Sequence, residues 1–192
     1  MVRITDLKSK YIPYEYKNNL YYIRWGYEDV YEDIYEETGE VNEYGMPVRV
    51  PTGEKKETNL ATWTYEQFLQ PVSLEFIKNI ILDWYNKEID NKILSGFVWN
   101  EMPVWLSSEN QFNYKVAYDL AVQTNGASLP VTFKFGTTDN PVYHTFTTVE
   151  ELADFYTKAI EYVNKTLADG WAKKDSIDWT VYENALNPKS EE

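Results

Sequence analysis

The sequence predicts an α+β fold: antiparallel β-hairpins packed with two to three α-helices, preceded by a small β-rich N-terminal region. Three observations carry that expectation. A hairpin–cap–helix unit occurs twice in the second half of the chain. An amphipathic helix precedes the two copies. Aromatic and β-branched runs broken by turn residues fill the first third. The limits that follow are residues 1–70 for the β-rich region, 71–187 for the α+β domain and 188–192 for a disordered acidic tail.

Taken in order, residues 1–19 are polar with scattered Tyr and read as an irregular leader. Leu20–Trp25 (LYYIRW) is the first strand. In the following stretch Tyr27, Val30, Tyr31, Ile34 and Tyr35 fit a helical face, yet alternate positions also read Tyr, Asp, Tyr, Asp, Tyr. The Tyr, Val and Ile content favours strand. Thr38–Gly39 and Tyr44–Gly45 bracket a loop, and Pro51-Thr52-Gly53 reads as a turn between short strands at Val48–Val50 and Asn59–Thr64.

Pro71 marks the boundary, and Ser73 caps a helix in which Leu74, Ile77, Ile81 and Trp84 trace one face. Gly96 sits where a left-handed C-cap residue is expected. Phe97–Trp99 and Val104–Leu106 then form a hairpin, with Pro103 at the start of its second strand or on an edge. Ser108 with Gln111 fits a capping box, and Phe112, Val116 and Leu120 draw an apolar stripe on the helix that follows, which Asn125–Gly126 stops. The second unit repeats the plan. Pro130–Phe135 and Val142–Phe146 alternate around turn residues 136–141, and Thr147/Glu150 or Thr148/Glu151 makes a second capping box. The longest apolar stripe comes next: Val149, Leu152, Tyr156, Ala159, Ile160, Val163 and Leu167. Gly170 either ends that helix or lies within it, and Ile177–Leu186 reads as a last short helix.

The 192 residues are 43% hydrophobic, with 17 Tyr, 8 Phe and 7 Trp, so the core must be strongly aromatic. A formal charge of −13 argues against nucleic acid and anionic membrane surfaces as partners. The absence of Cys excludes disulfides and thiolate metal sites. The N-terminus has no apolar run of the signal-peptide kind, and no segment approaches the roughly 20 apolar residues that span a bilayer. The expected location is the cytoplasm of the producing cell, which the chain would leave only by lysis or inside an assembly.

Chemistry-bearing residues are sparse. His144 is the single histidine and sits in a strand between Tyr143 and Thr145, with no carboxylate pair beside it in sequence. Glu28–Glu43 holds eight carboxylates and no base, but its acids alternate with Tyr as on a solvated strand face and lack EF-hand spacing. Asp139–Asn140 before Pro141 is turn material. Phosphate-loop motifs of the GxGxxG and GxxxxGK kinds are absent, and Asn164-Lys165-Thr166 is a helix triplet that happens to match a glycosylation sequon. Trp25, Trp63, Trp99, Trp105, Trp171 and Trp179 are candidates for stacking on sugars, against which core packing or a subunit interface is weighed. The sequence therefore nominates no catalytic, cofactor-binding or metal-binding residue.

Three stretches carry a family resemblance: LEFIKNIILDWYNKEIDNKILSGF, VWLSSENQFNYKVAYDLAVQT and SLPVTFKFGTTDNPVYHTFTTVEELADFYTKAIEYV. Together they resemble a family of uncharacterised proteins from phages and prophages of gut Bacteroidales, found near the tail-fibre end of tail gene clusters. The likeness covers roughly residues 20–185 and is strongest from Asp83 to Tyr162. That family has no assigned catalytic motif. The resemblance implies a non-enzymatic tail-associated structural or tail-fibre assembly protein, acting on other tail proteins or on itself, with a homo-oligomer plausible on grounds of tail symmetry. The alternative expectation is a carbohydrate-binding module for host surface glycans, which requires an exposed aromatic patch beside polar side chains.

Overall fold

The computed structural model describes residues 1–187, so the expected 188–192 tail lies outside the described residues. The chain is α+β, and every strand pairing is antiparallel. It divides into two compact units: residues 1–79 together with those from Asp178 onward, and Ile80–Ile177. This differs from a division at Pro71, because the last helix returns to the N-terminal unit.

The first unit holds a four-stranded sheet of order β1-β4-β3-β2, made of β1 (Val2–Leu7), β2 (Tyr14–Lys17), β3 (Leu20–Val41) and β4 (Pro47–Phe68). The expected irregular leader is thus two strands. β1 escapes a hydropathy reading because Arg3, Thr5 and Asp6 interrupt it; it is held by its ladder to β4 and by a Thr5–Thr62 hydroxyl pair at 2.9 Å. β2 turns into β3 through Asn18 and Asn19, both at positive φ, as a two-residue turn matched to strand twist requires. Ile23, Trp25, Ala61, Trp63 and Thr64 are buried in this sheet. Helix α4 (Thr180–Leu186) belongs here: Tyr182 is buried and its hydroxyl donates to the Arg24 carbonyl at 2.7 Å.

β3 and β4 are each 22 residues long, where several short strands and loops were expected from the sequence. The reason lies in three bulges built alike. Thr38, Thr52 and Thr58 each donate a hydroxyl hydrogen bond across the ribbon, to the carbonyls of Val48, Ile34 and Val30. The same oxygens accept the N–H two residues on, from Glu40, Glu54 and Leu60. At the first two, Gly39 and Gly53 take the left-handed conformation, at φ of 81° and 84°, whereas the third passes through Asn59 without a positive φ. Thr-Gly, read as a turn, is here a bulge inside a continuing strand.

The second unit carries the two hairpin–cap–helix modules: β5 (Phe97–Trp99), β6 (Met102–Val104) and α2 (Ser108–Gln123), then β7 (Val131–Gly136), β8 (Pro141–Phe146) and α3 (Val149–Asp175). Helix α1 (Leu74–Ser95) starts in the first unit and continues from Ile80 in the second. Its start is capped by Ser73, which accepts from Phe76 N–H. Gly96 closes it without a left-handed φ; the position needs Gly because a methyl group there would overlap the Tyr162 hydroxyl, which donates to the Lys92 carbonyl at 2.8 Å. The cap of α2 is Ser107, one residue before the expected Ser108, and accepts from Asn110 N–H. Thr148 caps α3 by accepting from Glu151 N–H, and α3 runs through Gly170.

The core of this unit gathers Phe97, Trp99, Val104, Leu106, Tyr114, Phe135, Phe146, Leu152 and Phe155. Trp99 satisfies its indole N–H by donating to Asp154 Oδ2 at 3.0 Å. One expectation is overturned. α2 buries Tyr114 and Ala121, whereas Phe112, Val116 and Leu120 are 65%, 47% and 47% exposed. The predicted stripe exists, but it faces solvent.

Candidate functional site

Among the described residues no helix is long and apolar enough to cross a membrane, and no group of three or more His, Asp or Glu is placed to hold a metal ion. The surfaces that remain are an arm, a helix face and a pocket.

The arm is the outer part of the β3–β4 ribbon. β1 pairs with β4 only as far as Leu60, and β2 with β3 only from Leu20 to Ile23, so Tyr31–Glu57 is two-stranded. At about 3.3 Å per residue it extends roughly 30 Å. Its base is clamped by Lys8, whose ammonium meets Asp29 at 2.6 Å and also Glu57, so that the lysine pKa is raised and the Asp29 pKa lowered. Farther out, Lys55 faces Asp33 at 3.8 Å and Arg49 meets Glu37 at 3.0 Å. The acidic segment Glu28–Glu43 is therefore one strand of this arm. Residues 31–57 hold eight carboxylates against three cationic side chains, a net charge of −5.

The tip is organised around Asn42. Its Oδ1 accepts from the N–H groups of Tyr44 and Met46, while its own N–H donates to the Met46 carbonyl at 2.8 Å. This fixed turn presents Tyr44 and Met46 at 80% and 62% exposure, and Tyr31, Tyr35, Val41 and Val50 are exposed behind them. A two-stranded ribbon has no layer with which to cover such side chains. Its edges, interrupted by bulges and charges, are poor templates for a further strand, so its side chains are the available contact surface.

The pocket lies within the second unit, with a volume of about 510 Å³. Val104 and Phe135 line its apolar side; Trp105, Asn110, Lys134 and Thr138 supply an exposed ring and polar groups. Gly136, at φ 82°, shapes the neighbouring turn, in which Thr137 Oγ1 accepts from Asn140 N–H. Asp139–Asn140 is accordingly part of a turn, as read from sequence.

His144 has the partner that sequence adjacency did not reveal. Its Nε2 lies 2.9 Å from Glu151 Oε1, joining β8 to the first turn of α3, and its ring packs against Trp99 and Phe146 with centroids 5.0 and 4.6 Å away. Glu151 sits seven residues on, across a strand-to-helix turn, beyond the reach of a local reading. The pair fastens the cap of α3 to the hairpin.

Of the candidate tryptophans, Trp25, Trp63 and Trp99 are core residues, Trp105 and Trp171 are more than half exposed, and Trp179 lies under the Lys78 ammonium at 5.6 Å from its ring centroid. Asn164-Lys165-Thr166 lies within α3 with Thr166 buried. Comparison with protein-family models, curated proteins and solved structures gives no match in any of the three. The family resemblance drawn from sequence therefore rests on the quoted stretches themselves.

Proposed function

We propose that this chain is a non-enzymatic structural or assembly protein that works through protein–protein contacts, with the β3–β4 arm as its contact element. The observation that carries this reading is the arm itself: a bulged, two-stranded ribbon presenting Tyr31, Tyr35, Tyr44 and Met46 to solvent on a background of −5. Aromatic and Met side chains on a fixed turn are suited to recognition, since little freedom is lost on binding. The occupant that fits is a cationic protein surface with recesses for Tyr and Met. A second copy of this chain is the poorer complement, because each carries −13. The setting in a phage-like tail comes from the family resemblance.

The test is photo-crosslinking in the producing cell, with a photoreactive residue replacing Tyr35 or Tyr44, and a control at exposed Trp171. The expected result is a cross-link from both arm positions to one basic protein, absent at position 171. Arm positions that cross-link to nothing, or only to another copy, overturn the reading.

A second reading, glycan binding, is favoured by one observation: Trp105, half exposed, lines a pocket with Asn110, Lys134 and Thr138. Quenching or a blue shift of tryptophan emission on adding neutral or acidic oligosaccharides, lost in Trp105→Ala, supports it. Unchanged emission across a glycan panel removes it.

A further inference from the structure

The helix stripe that sequence periodicity assigns to the core faces solvent, and this points to a second contact surface distinct from the arm. Phe112, Val116 and Leu120 recur every four residues on α2, spanning about 12 Å of helix at 1.5 Å per residue. The opposite side of the same helix, Tyr114 and Ala121, is buried in the core. A helix apolar on both sides has one face left to cover.

We propose that α2 pairs with α2 of a second copy about a two-fold axis, with the helices antiparallel and Val116 at the centre. The stripe is self-complementary in that arrangement: Phe112 of one copy meets Leu120 of the other, and Val116 meets its own counterpart. Charge permits this occupant on α2 while disfavouring it on the arm. Residues 108–123 carry only Glu109, Lys115 and Asp119, a net of −1, and Lys115 and Asp119 already neutralise each other at 2.5 Å. In a chain of −13, this is a face on which two copies can meet without close like-charge opposition. A partner chosen for charge would find little here to attract it.

The salt dependence follows. Screening weakens the long-range repulsion between two −13 protomers while leaving the apolar contact in place, so self-association through α2 tightens as salt rises. Binding of the arm to a cationic surface weakens over the same range. The two surfaces are thereby distinguished, and failure of one does not entail failure of the other.

The test uses the full chain and its lack of cysteine. Val116→Cys places one thiol at the proposed axis, where mild oxidation links two copies through residue 116; Trp171→Cys is the exposed control. The expected results are a covalent dimer for Val116→Cys at micromolar concentration and none for Trp171→Cys. Sedimentation equilibrium of the unmodified chain is expected to show a dimer whose dissociation constant rises at least tenfold in Val116→Asp. That exposed substitution leaves the far-UV circular dichroism spectrum unchanged, while the melting temperature falls only as far as loss of the dimer requires. A unmodified chain that stays monomeric to 100 µM at moderate salt overturns the proposal, as does a dimer that survives Val116→Asp or links equally through position 171.

Discussion

Ile89 of α1 packs directly onto Gly170 of α3, where a methyl group on Gly170 would overlap both Cγ1 and Cδ1 of the isoleucine. Both residues are buried, and the missing side chain is what admits Ile89. Gly inside a helix costs about 1 kcal/mol relative to Ala, so Gly170→Ala gains that much propensity. The overlap costs about 1–3 kcal/mol and dominates. Gly170→Ala is therefore expected to lower the urea midpoint in the native chain and to raise it in an Ile89→Ala background. The reversal of sign in this double-mutant cycle is the observable, and additive effects would disprove the close approach.

A second prediction concerns Thr64, which is 2% exposed in the first unit and whose hydroxyl has no hydrogen-bond partner among the described residues. An unsatisfied buried hydroxyl carries its desolvation cost uncompensated, whereas Val has the same shape and a higher strand preference. Thr64→Val is expected to stabilise the chain by about 1 kcal/mol, read from a denaturant midpoint at unchanged slope. A loss of stability would mean that the hydroxyl has a bound water as partner.

The threonine bulges give a third prediction. Thr52 and Thr58 hold the amides of Glu54 and Leu60 on their hydroxyl oxygens. Replacing either with Val removes one such bond, worth about 1 kcal/mol, and so speeds exchange of that amide about fivefold. Hydrogen exchange resolved by residue should show the effect at the bulge and leave the Trp25–Thr64 part of the sheet unaltered. Acceleration spread through the whole sheet would count against bulges acting as local devices.

These cases show what was legible in the sequence. The α+β class, both hairpin–helix modules, the cap at Ser73 and, as one of two neighbouring options, the cap at Thr148 were readable because period and capping chemistry are local. The continuity of β3 and β4 was not, because Thr38-Gly39 and Thr52-Gly53 serve turns and bulges with the same backbone angles. Whether a Thr hydroxyl finds a carbonyl across a ribbon depends on a partner strand many residues away. The orientation of α2 was hidden for a related reason. Phe112/Val116/Leu120 and Tyr114/Tyr118/Ala121 are both helical stripes, and periodicity does not say which one meets the hairpins. The pocket and the His144–Glu151 pair are spatial juxtapositions and left no spacing signal.

Acid stability depends on aspartates that act in the folded state. Asp154 accepts from Lys158 at 2.8 Å and from the Trp99 indole, and the lysine first, then the indole, holds its pKa below the ordinary 3.8. A depressed folded-state pKa contributes stability that is present above the ordinary value and is lost as pH falls through the folded one. Unfolding followed by tryptophan emission should therefore show a steep decline below about pH 4. In Asp154→Asn the decline should be shallower and the stability at neutral pH lower. Parallel pH profiles for the two proteins would show that Asp154 is not linked to folding.

Tyr114 sets the alkaline limit. It is buried against Phe133 and Phe155, with centroids 4.7 and 5.0 Å away, and burial pushes its hydroxyl pKa up to about 12. The unfolded chain releases that proton near 10, so between these values the native state holds one more proton than the unfolded state. Stability from this group is complete below pH 10 and is lost as pH rises toward 12. Tyr114→Phe keeps the aromatic packing and removes the titration. Its stability should match the native chain's at neutral pH and fall less steeply above pH 10, by a difference that grows with pH. Denaturant midpoints at pH 8, 10 and 11 decide the matter, because equal slopes for the two proteins would place the Tyr114 hydroxyl in contact with water.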